Sequence, residues 1–320
     1  MANGVSLFAP LRRRLVADLE QAGGRHDEPE IYGGPPGDPG LVGGPASLSW
    51  EIHGDLATLG IAGTATVLME LLHPSVMAGV HDHSSFWVDP ERRARNTLGY
   101  VLRTTFGNTQ AARRTIESVK RIHSRIGGLR PDGVRYRALE PELIAWVHTS
   151  IPWGVMQAYD RYVRPLSTAE KDRYLREQAP IGLLGGADWV PETVAELDEY
   201  VEQMRPKLAL TSQTVRFMDF IAGRSPEQPV GRMERVSRRA AICAAMDLMP
   251  EWARALTGTR QPEWLQRFAL RPTDRWKGRL VRWAYPELPC KRMALARVKG
   301  ESALAPSRAL SQGGLAAAQL

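Results

Sequence analysis

The chain has 320 residues, of which 43% are hydrophobic and 24% are charged, and this balance excludes a disordered or fibrous protein. No eighteen apolar residues run together, so we predict no integral membrane segment, and the first thirty residues lack a signal-peptide core, so we expect a cytoplasmic protein. The net charge of +7 raises nucleic acid and anionic membrane surfaces as partners. Cys243 and Cys290 lie in separate segments and predict neither a disulfide framework nor a zinc knuckle.

The two ends of the chain differ in composition from its middle. Residues 1–48 are predicted to form a partly irregular extension, because a Gly/Pro cluster at 23–48 favours a loop. Its glycines lack the Lys-Ser/Thr pair of a phosphate-binding loop. We predict a single helical domain over residues 49–300 and a flexible tail over 301–320, which is rich in Ala, Ser, Gln and Gly.

Helical signals follow one another through the middle of the chain. Small residues mixed with aliphatic ones predict a tightly packed helix over 59–72, and Asp89-Pro90-Glu91 is typical of a helix start, with Phe106 near the end of that helix. Further helices are predicted over 109–126, 140–152, 168–177, 192–204, 208–221, 236–249 and around Trp264. Neither an internal repeat nor strand-type alternation is present, so the predicted fold class is all-α.

All seven histidines lie in the N-terminal half, which indicates where a site would be. His123 shares an apolar helix face with Ile116 and Val119, and His148 follows an apolar pair on the helix that starts near residue 140. A histidine in such a position is either a hydrogen-bonded core residue or a ligand to iron, and the residues alone leave both interpretations open.

Arg93 and Thr97 are four residues apart, so they project from one face of the predicted helix, with Tyr100 one turn further on. A guanidinium can pair with a carboxylate such as a haem propionate, and a hydroxyl can orient dioxygen or water. The competing interpretation is an arginine on a solvated helix face, because other arginines surround it.

Two other groups of residues suggest different chemistry. His81-Asp82-His83, with His73 and Glu70 nearby, has the donor types of a non-haem metal site with two histidines and one carboxylate, although a solvated turn between helices explains it as well. Basic residues mixed with aromatic ones near the C-terminus are typical either of nucleic-acid binding or of long side chains around a helical core. These are Arg271, Arg275, Trp276, Lys277, Arg279, Arg282, Trp283, Tyr285, Lys291, Arg292, Arg297 and Lys299. Because no recognition motif accompanies them, we predict no nucleic-acid partner.

Five segments in order carry a resemblance to a known family. They read GTATVLMELLHPSVMAGVHDHSSF, DPERRARNTLGYVLRTTFGN, VKRIHSRIGG, YRALEPELIAWVHTSIPWGVMQAYDRYVRPLSTAEKDRYL and LLGGADWVPETVAELDEYVEQM. Over about residues 55 to 220 the chain resembles the catalytic region of the MpaB and latex-clearing rubber oxygenases. The resemblance implies a globin-like helical core, a non-covalent haem b, and the use of dioxygen on unsaturated isoprenoid chains.

The resemblance also implies roles for individual residues. His123 matches the family's proximal iron ligand, Arg93 and Thr97 match its Arg-x-x-x-Thr pair, and His148 matches the histidine of its WVH segment. Asn96 stands where the rubber oxygenases carry a lysine, and it could donate a hydrogen bond to bound dioxygen. The family's upstream glutamate has no clear counterpart in HPSVMAGVHDHS, so the haem and the oxygen chemistry transfer more readily than the polyisoprene substrate.

We therefore predict a haem b-dependent oxygenase acting on an apolar, unsaturated small molecule or isoprenoid chain. Arg93, Asn96 and Thr97 are its predicted catalytic residues, and Arg93, Thr97, His123 and His148 are predicted to bind the cofactor. Either His81 or His83 is expected to add a polar contact, and the substrate is expected beside Met69, Leu72 and Met77. The alternatives are a non-haem metal or peroxidase-like oxidoreductase and a non-catalytic helical binding protein. A redox partner or a homo-oligomer is compatible with each of these functions.

Overall fold

The computed structural model describes residues 8–226 and 228–301, so the predicted tail lies almost wholly outside the described residues. Helices dominate these ranges, and their only strands form one two-stranded antiparallel hairpin, which confirms the all-α prediction. The helices are α1 (Ala9–Gly23), α2 (Pro29–Tyr32), α3 (Leu48–His53), α4 (Leu56–Glu70), α5 (Pro74–His83), α6 (Pro90–Phe106), α7 (Thr109–His123), α8 (Pro141–Tyr162), α9 (Thr168–Gly185), α10 (Val194–Met204), α11 (Ser212–Ile221), α12 (Arg232–Leu248), α13 (Glu251–Leu256), α14 (Glu263–Leu265), α15 (Arg271–Ala284) and α16 (Pro289–Lys299). The strands are β1 (Gly127–Leu129) and β2 (Arg135–Arg137).

The centre of the fold is the contact between α4 and α8. α4 begins at Asp55, whose carboxylate accepts a hydrogen bond from the backbone of Thr58, and it carries apolar or small residues on every side. This composition fits its surroundings, because α8, α12 and α15 all pack against it. The two central helices approach closely at Gly154, where an added Cβ would lie only 2.2 Å from the Thr66 hydroxyl oxygen. A glycine at this position is therefore required by packing.

Proline residues account for two differences from the predicted helices. α8 and α9 were predicted to end near residues 152 and 177, whereas they run on to Tyr162 and Gly185 with Pro152 and Pro180 inside them. Each proline removes one backbone hydrogen bond, but most residues of α8 after Pro152 are buried, and burial outweighs that loss. In contrast, Pro74 opens α5, where the His73 ring accepts a hydrogen bond from the backbone of Ser75.

The segment after α7 also differs from its prediction. α7 ends at His123 instead of residue 126, and the following residues form the hairpin, in which Gly128 pairs with Tyr136. A turn with Gly133 in the left-handed region joins the strands. The Tyr136 hydroxyl donates a hydrogen bond to Asp82 at 3.0 Å, so the hairpin lies against the end of α5.

The N-terminal loop is attached to the last helix by one buried arginine. Residues 24–47 are largely irregular, as predicted, yet Tyr32 and Val42 are core residues. Arg297 of α16 donates to the carbonyl oxygens of Tyr32, Asp38 and Phe106 at 2.6, 2.9 and 2.9 Å. The loop, α6 and α16 are therefore joined through a single side chain. Seven helices had no counterpart among the predicted elements, namely α1, α2, α3, α5, α13, α15 and α16.

Candidate functional site

α6 brings Arg93 and Thr97 together as their spacing predicts. The Asp89 carboxylate caps the helix by accepting from the backbone of Arg92 at 2.9 Å, and Pro90 occupies the first turn. The Arg93 guanidinium donates to the Thr97 hydroxyl, which in turn donates to the Arg93 carbonyl at 3.0 Å. Within the described ranges Arg93 forms no ion pair with a carboxylate, so its charge is available to a ligand. Asn96 is exposed on the same helix.

His123 is the last residue of α7 and is half-buried. Burial and then the nearby charge of Arg93 lower the pKa of its imidazole below the usual 6.5. None of the described residues forms a hydrogen bond with either ring nitrogen. The ring is therefore neutral at physiological pH and has a lone pair free for a ligand.

His148 lies on α8 between Tyr100 and the backbone of α9. The His148 and Tyr100 ring centroids are 6.1 Å apart, and a Cβ added at Gly185 would lie 2.8 Å from Nε2 of His148. Glycine at 185 thus permits the close approach of the imidazole. Burial, followed by the charge of His123, lowers the pKa of His148 to about 4. The two imidazoles are therefore near each other, and His148 also lacks a hydrogen-bond partner within the described parts of the chain.

The structure adds Glu70, the last residue of α4, to this group. The Trp146 indole of α8 donates to the Glu70 carbonyl at 3.2 Å and fixes the end of the helix. Burial raises the pKa of the Glu70 carboxyl to about 8, against the opposing effect of Arg93, although part of the side chain remains accessible. Sequence analysis had considered Glu70 only as a partner of the His81 group. The signal for its role was available, since it is the single charged residue of α4.

The alternative metal cluster does not assemble. His81, Asp82 and His83 form the last turn of α5 instead of an irregular turn, and His81 Nδ1 lies 2.8 Å from the Asp82 carboxylate. The His83 ring faces the Gly127 carbonyl at 3.2 Å, while His73 caps α5. Over residues 8–226 and 228–301, no three His, Cys, Asp or Glu side chains come together as a metal site. The expected contribution of His81 or His83 to the Arg93 site is likewise not seen.

Two cavities near α8 differ in size and lining. One beside His148 and Tyr100 has a volume of about 10 Å³, room for roughly one water molecule. The other, about 640 Å³, is lined by polar groups that include Gln157 and Arg161, nine or more residues beyond His148. Gln157 lies on the opposite side of α8 from His148, so this second cavity is separate from the histidine site.

The residues expected beside the substrate do not line a cavity. Met69, Leu72 and Met77 are fully buried in the core and line neither cavity. Hydrophobicity alone does not distinguish a core side chain from one that lines a pocket. These three residues therefore stabilise the fold.

The donor groups around Arg93 fit a haem. Two neutral imidazoles that form no hydrogen bond with the residues the structure describes suit iron, and an arginine without a carboxylate partner among the same residues suits a propionate. The void beside His148, with a volume of about 10 Å³, is too small for a haem, so the fit rests on the chemistry of His123, His148 and Arg93. A single histidine ligand is sufficient for haem, in contrast to the several ligands of a bare metal ion.

Comparison with known proteins identifies the family of the chain. A family model described as "ER-bound oxygenase mpaB/B'/Rubber oxygenase, catalytic domain" matches residues 50–283. The helical fold and this match place the chain in the class of oxygenases, and therefore of oxidoreductases. Because the match covers more than half of the chain, the protein belongs to the mpaB/rubber oxygenase family, and the resemblance seen in the sequence is confirmed. Neither the curated proteins nor the solved structures that were compared include a match.

The length and hydropathy of the described helices bear on membrane insertion. No single described helix is long and apolar enough to cross a bilayer. α4 and α5 together meet the length and hydropathy requirement, but they are bent by 109° at the break between them.

Proposed function

We propose that this protein is a haem b-dependent oxygenase that uses dioxygen to oxidise an apolar, unsaturated small molecule or isoprenoid chain. The observation that carries the proposal is the grouping of two neutral imidazoles, His123 and His148, with the guanidinium of Arg93, none of which has a hydrogen-bonded carboxylate or backbone partner from another described element. Membership of an oxygenase family supports the type of reaction.

His123 would hold the iron, and Arg93 would bind a propionate while Thr97 orients its guanidinium. When bound, haem supplies the redox-active iron that dioxygen chemistry needs. His148, held by Tyr100 and the glycine backbone of α9, would donate or accept a hydrogen bond from the open side of its ring. Asn96 is accessible on α6 and can donate through its amide.

Glu70 would hold a proton at the site. Because its pKa is about 8, the carboxyl is mostly protonated at neutral pH and can act as a hydrogen-bond donor or a proton source. The charge of Arg93 acts on both groups, since it opposes the rise in the pKa of the Glu70 carboxyl and lowers the pKa of the His123 imidazole.

Aliphatic side chains flank these polar groups, and they favour the proposal that the substrate is apolar. Val67 lies one turn before Glu70, and Val147 and Ile151 adjoin His148 on α8; all three are half-buried. Such surfaces, next to a few oriented polar groups, are typical of sites for apolar ligands.

The test is the absorption spectrum of protein produced with sufficient iron and haem precursor, recorded oxidised, reduced and with carbon monoxide. We expect an intense Soret band in the native protein that His123→Ala abolishes or shifts. His83→Ala is the matched control, because that histidine is exposed and outside the site, and it should leave the spectrum unchanged. A native protein that stays colourless after haem reconstitution, or a His123→Ala variant with an unaltered spectrum, would overturn the proposal.

A further inference from the structure

The helical segment 263–284 presents its large apolar side chains to solvent. It comprises α14, a π-helical turn (Gln266–Leu270) and α15, which follow one another without a break. The buried positions of α15 are Asp274, Gly278 and Ala284. The exposed fractions of the outward aromatic residues are 64% for Trp264, 73% for Phe268, 61% for Trp276 and 43% for Trp283. This distribution is the reverse of an ordinary surface helix, whose apolar face points to the core.

α1 extends this apolar surface. The Phe8 ring meets Trp283 edge to face with centroids 6.5 Å apart, and Arg12 Nε donates to the Ala284 carbonyl at 3.1 Å. These contacts hold α1 alongside α15. Leu11, 54% exposed, adds an aliphatic side chain. We call Phe8, Leu11, Trp264, Phe268, Trp276 and Trp283 together the aromatic surface.

Cationic side chains surround the aromatic surface. The exposed ones are Arg12, Arg13, Arg14, Arg267, Arg275, Lys277 and Arg279. The Arg267 guanidinium lies 5.6 Å from the centroid of the Phe268 ring. Asp274, one of the two acidic residues of segment 263–284, is buried and engages Lys277 at 3.3 Å, so it offsets little of the outward charge. The surface therefore combines exposed aromatic rings with a positive rim.

We propose that the aromatic surface docks the protein on the anionic face of a lipid bilayer. Tryptophan and phenylalanine favour the boundary between headgroups and acyl chains, and Lys and Arg beside them bind anionic headgroups. A second copy of this chain fits poorly, because a symmetric contact would bring the cationic rims together. A nucleic-acid duplex needs a contact made mainly by cations, whereas here large exposed aromatic side chains lie among the exposed cations.

This inference is independent of the haem proposal, since the two sets of residues do not overlap. Docking attaches the protein peripherally and requires no helix to cross the bilayer. The exposed rings enter the interface while the rest of the fold stays outside it.

The experiment is vesicle flotation of the full-length protein. We expect it to float with phosphatidylcholine vesicles that contain about one third phosphatidylserine and to stay in the dense fraction with pure phosphatidylcholine. Trp276→Ala with Trp283→Ala, and separately Arg13→Glu with Arg14→Glu and Arg279→Glu, should each weaken binding by at least about tenfold. Circular dichroism verifies that each variant is folded.

Matched controls change exposed residues elsewhere. Leu129→Ala with Leu183→Ala removes exposed apolar side chains, and Arg113→Glu with Arg114→Glu and Arg176→Glu makes the same change in net charge. Both controls should bind as the native chain does. The proposal is overturned if the native protein fails to float, if the controls weaken binding as much as the surface variants, or if the surface variants abolish only duplex DNA binding or only self-association.

Discussion

Glu70 ends a helix that contains no other charged residue, beside an arginine that does not form an ion pair with it. Its carboxyl has a pKa of about 8 in the folded protein and an ordinary value of 4.5. Between these values the folded chain retains a proton that the unfolded chain has lost. The stability that this proton provides is complete below pH 4.5 and is lost as the pH rises through 8.

Glu70→Gln keeps the shape of the side chain and removes its titration. Relative to this variant, we expect the native protein to lose about 1–3 kcal/mol of its free energy of unfolding between pH 5 and 8. This energy is smaller than the full pKa shift would give, because the side chain is partly accessible to solvent. Urea unfolding at several pH values measures this difference. Glu199→Gln, at an exposed position on α10, is the control and should give a profile parallel to that of the native protein. A Glu70→Gln profile that is also parallel would contradict the raised pKa.

Much of the candidate site was predictable at the residue scale, because spacing on a helix decides which side chains share a face. Arg93 and Thr97 are hydrogen-bonded, and His123 lies close enough to His148 to lower its pKa. Their roles in binding haem stay predictions. Glu70 was assigned to the wrong group, since its position near Arg93 depends on the tertiary arrangement of the helices, which one sequence does not show.

At the scale of elements, Gly154 limits how closely α4 and α8 can pack. Alanine in a helix normally stabilises it relative to glycine by up to about 1 kcal/mol. Here the added methyl group would lie 2.2 Å from the Thr66 hydroxyl, so Gly154→Ala should instead lower the free energy of unfolding by about 1–3 kcal/mol.

Denaturant unfolding of Gly154→Ala measures this cost. Adding Thr66→Ala removes the clashing oxygen and should restore part of the stability, although it also gives up a long hydrogen bond to the Ser150 carbonyl. If the double variant is no more stable than Gly154→Ala, the clash is not the cause.

Helix existence was easier to predict than helix ends. The predicted positions of α10, α11 and α12 agree with the structure to within a few residues, since each has an apolar face at helical spacing. The ends of α8 and α9 were wrong, because tertiary burial maintains a helix through proline, and the hairpin was missed because Gly127-Gly128 resembles a helix terminus.

At the scale of the whole molecule, Arg297 connects elements from both ends of the chain. It is 2% exposed and donates to three carbonyl oxygens, two of them in the N-terminal loop. Arg297→Met keeps the length of the side chain but leaves those oxygens without a donor. We expect the free energy of unfolding to fall by about 2–5 kcal/mol.

The measurement is chemical unfolding combined with limited proteolysis of the loop at 24–47, which should become more susceptible. Arg292→Met, an exposed position on the same helix, is the matched control and should change neither result. Equal stability of the two variants would show that the loop is held by other contacts.

The Arg297 connection also has a consequence for synthesis on the ribosome. The loop around Tyr32 is made first and Arg297 is made 265 residues later, so no earlier segment can supply the guanidinium. Throughout translation the nascent chain therefore carries an unfinished loop, with the carbonyls of Tyr32 and Asp38 lacking their donor. A transcript that stops before α16 would yield a polypeptide suited to chaperone capture and degradation instead of a shorter working enzyme.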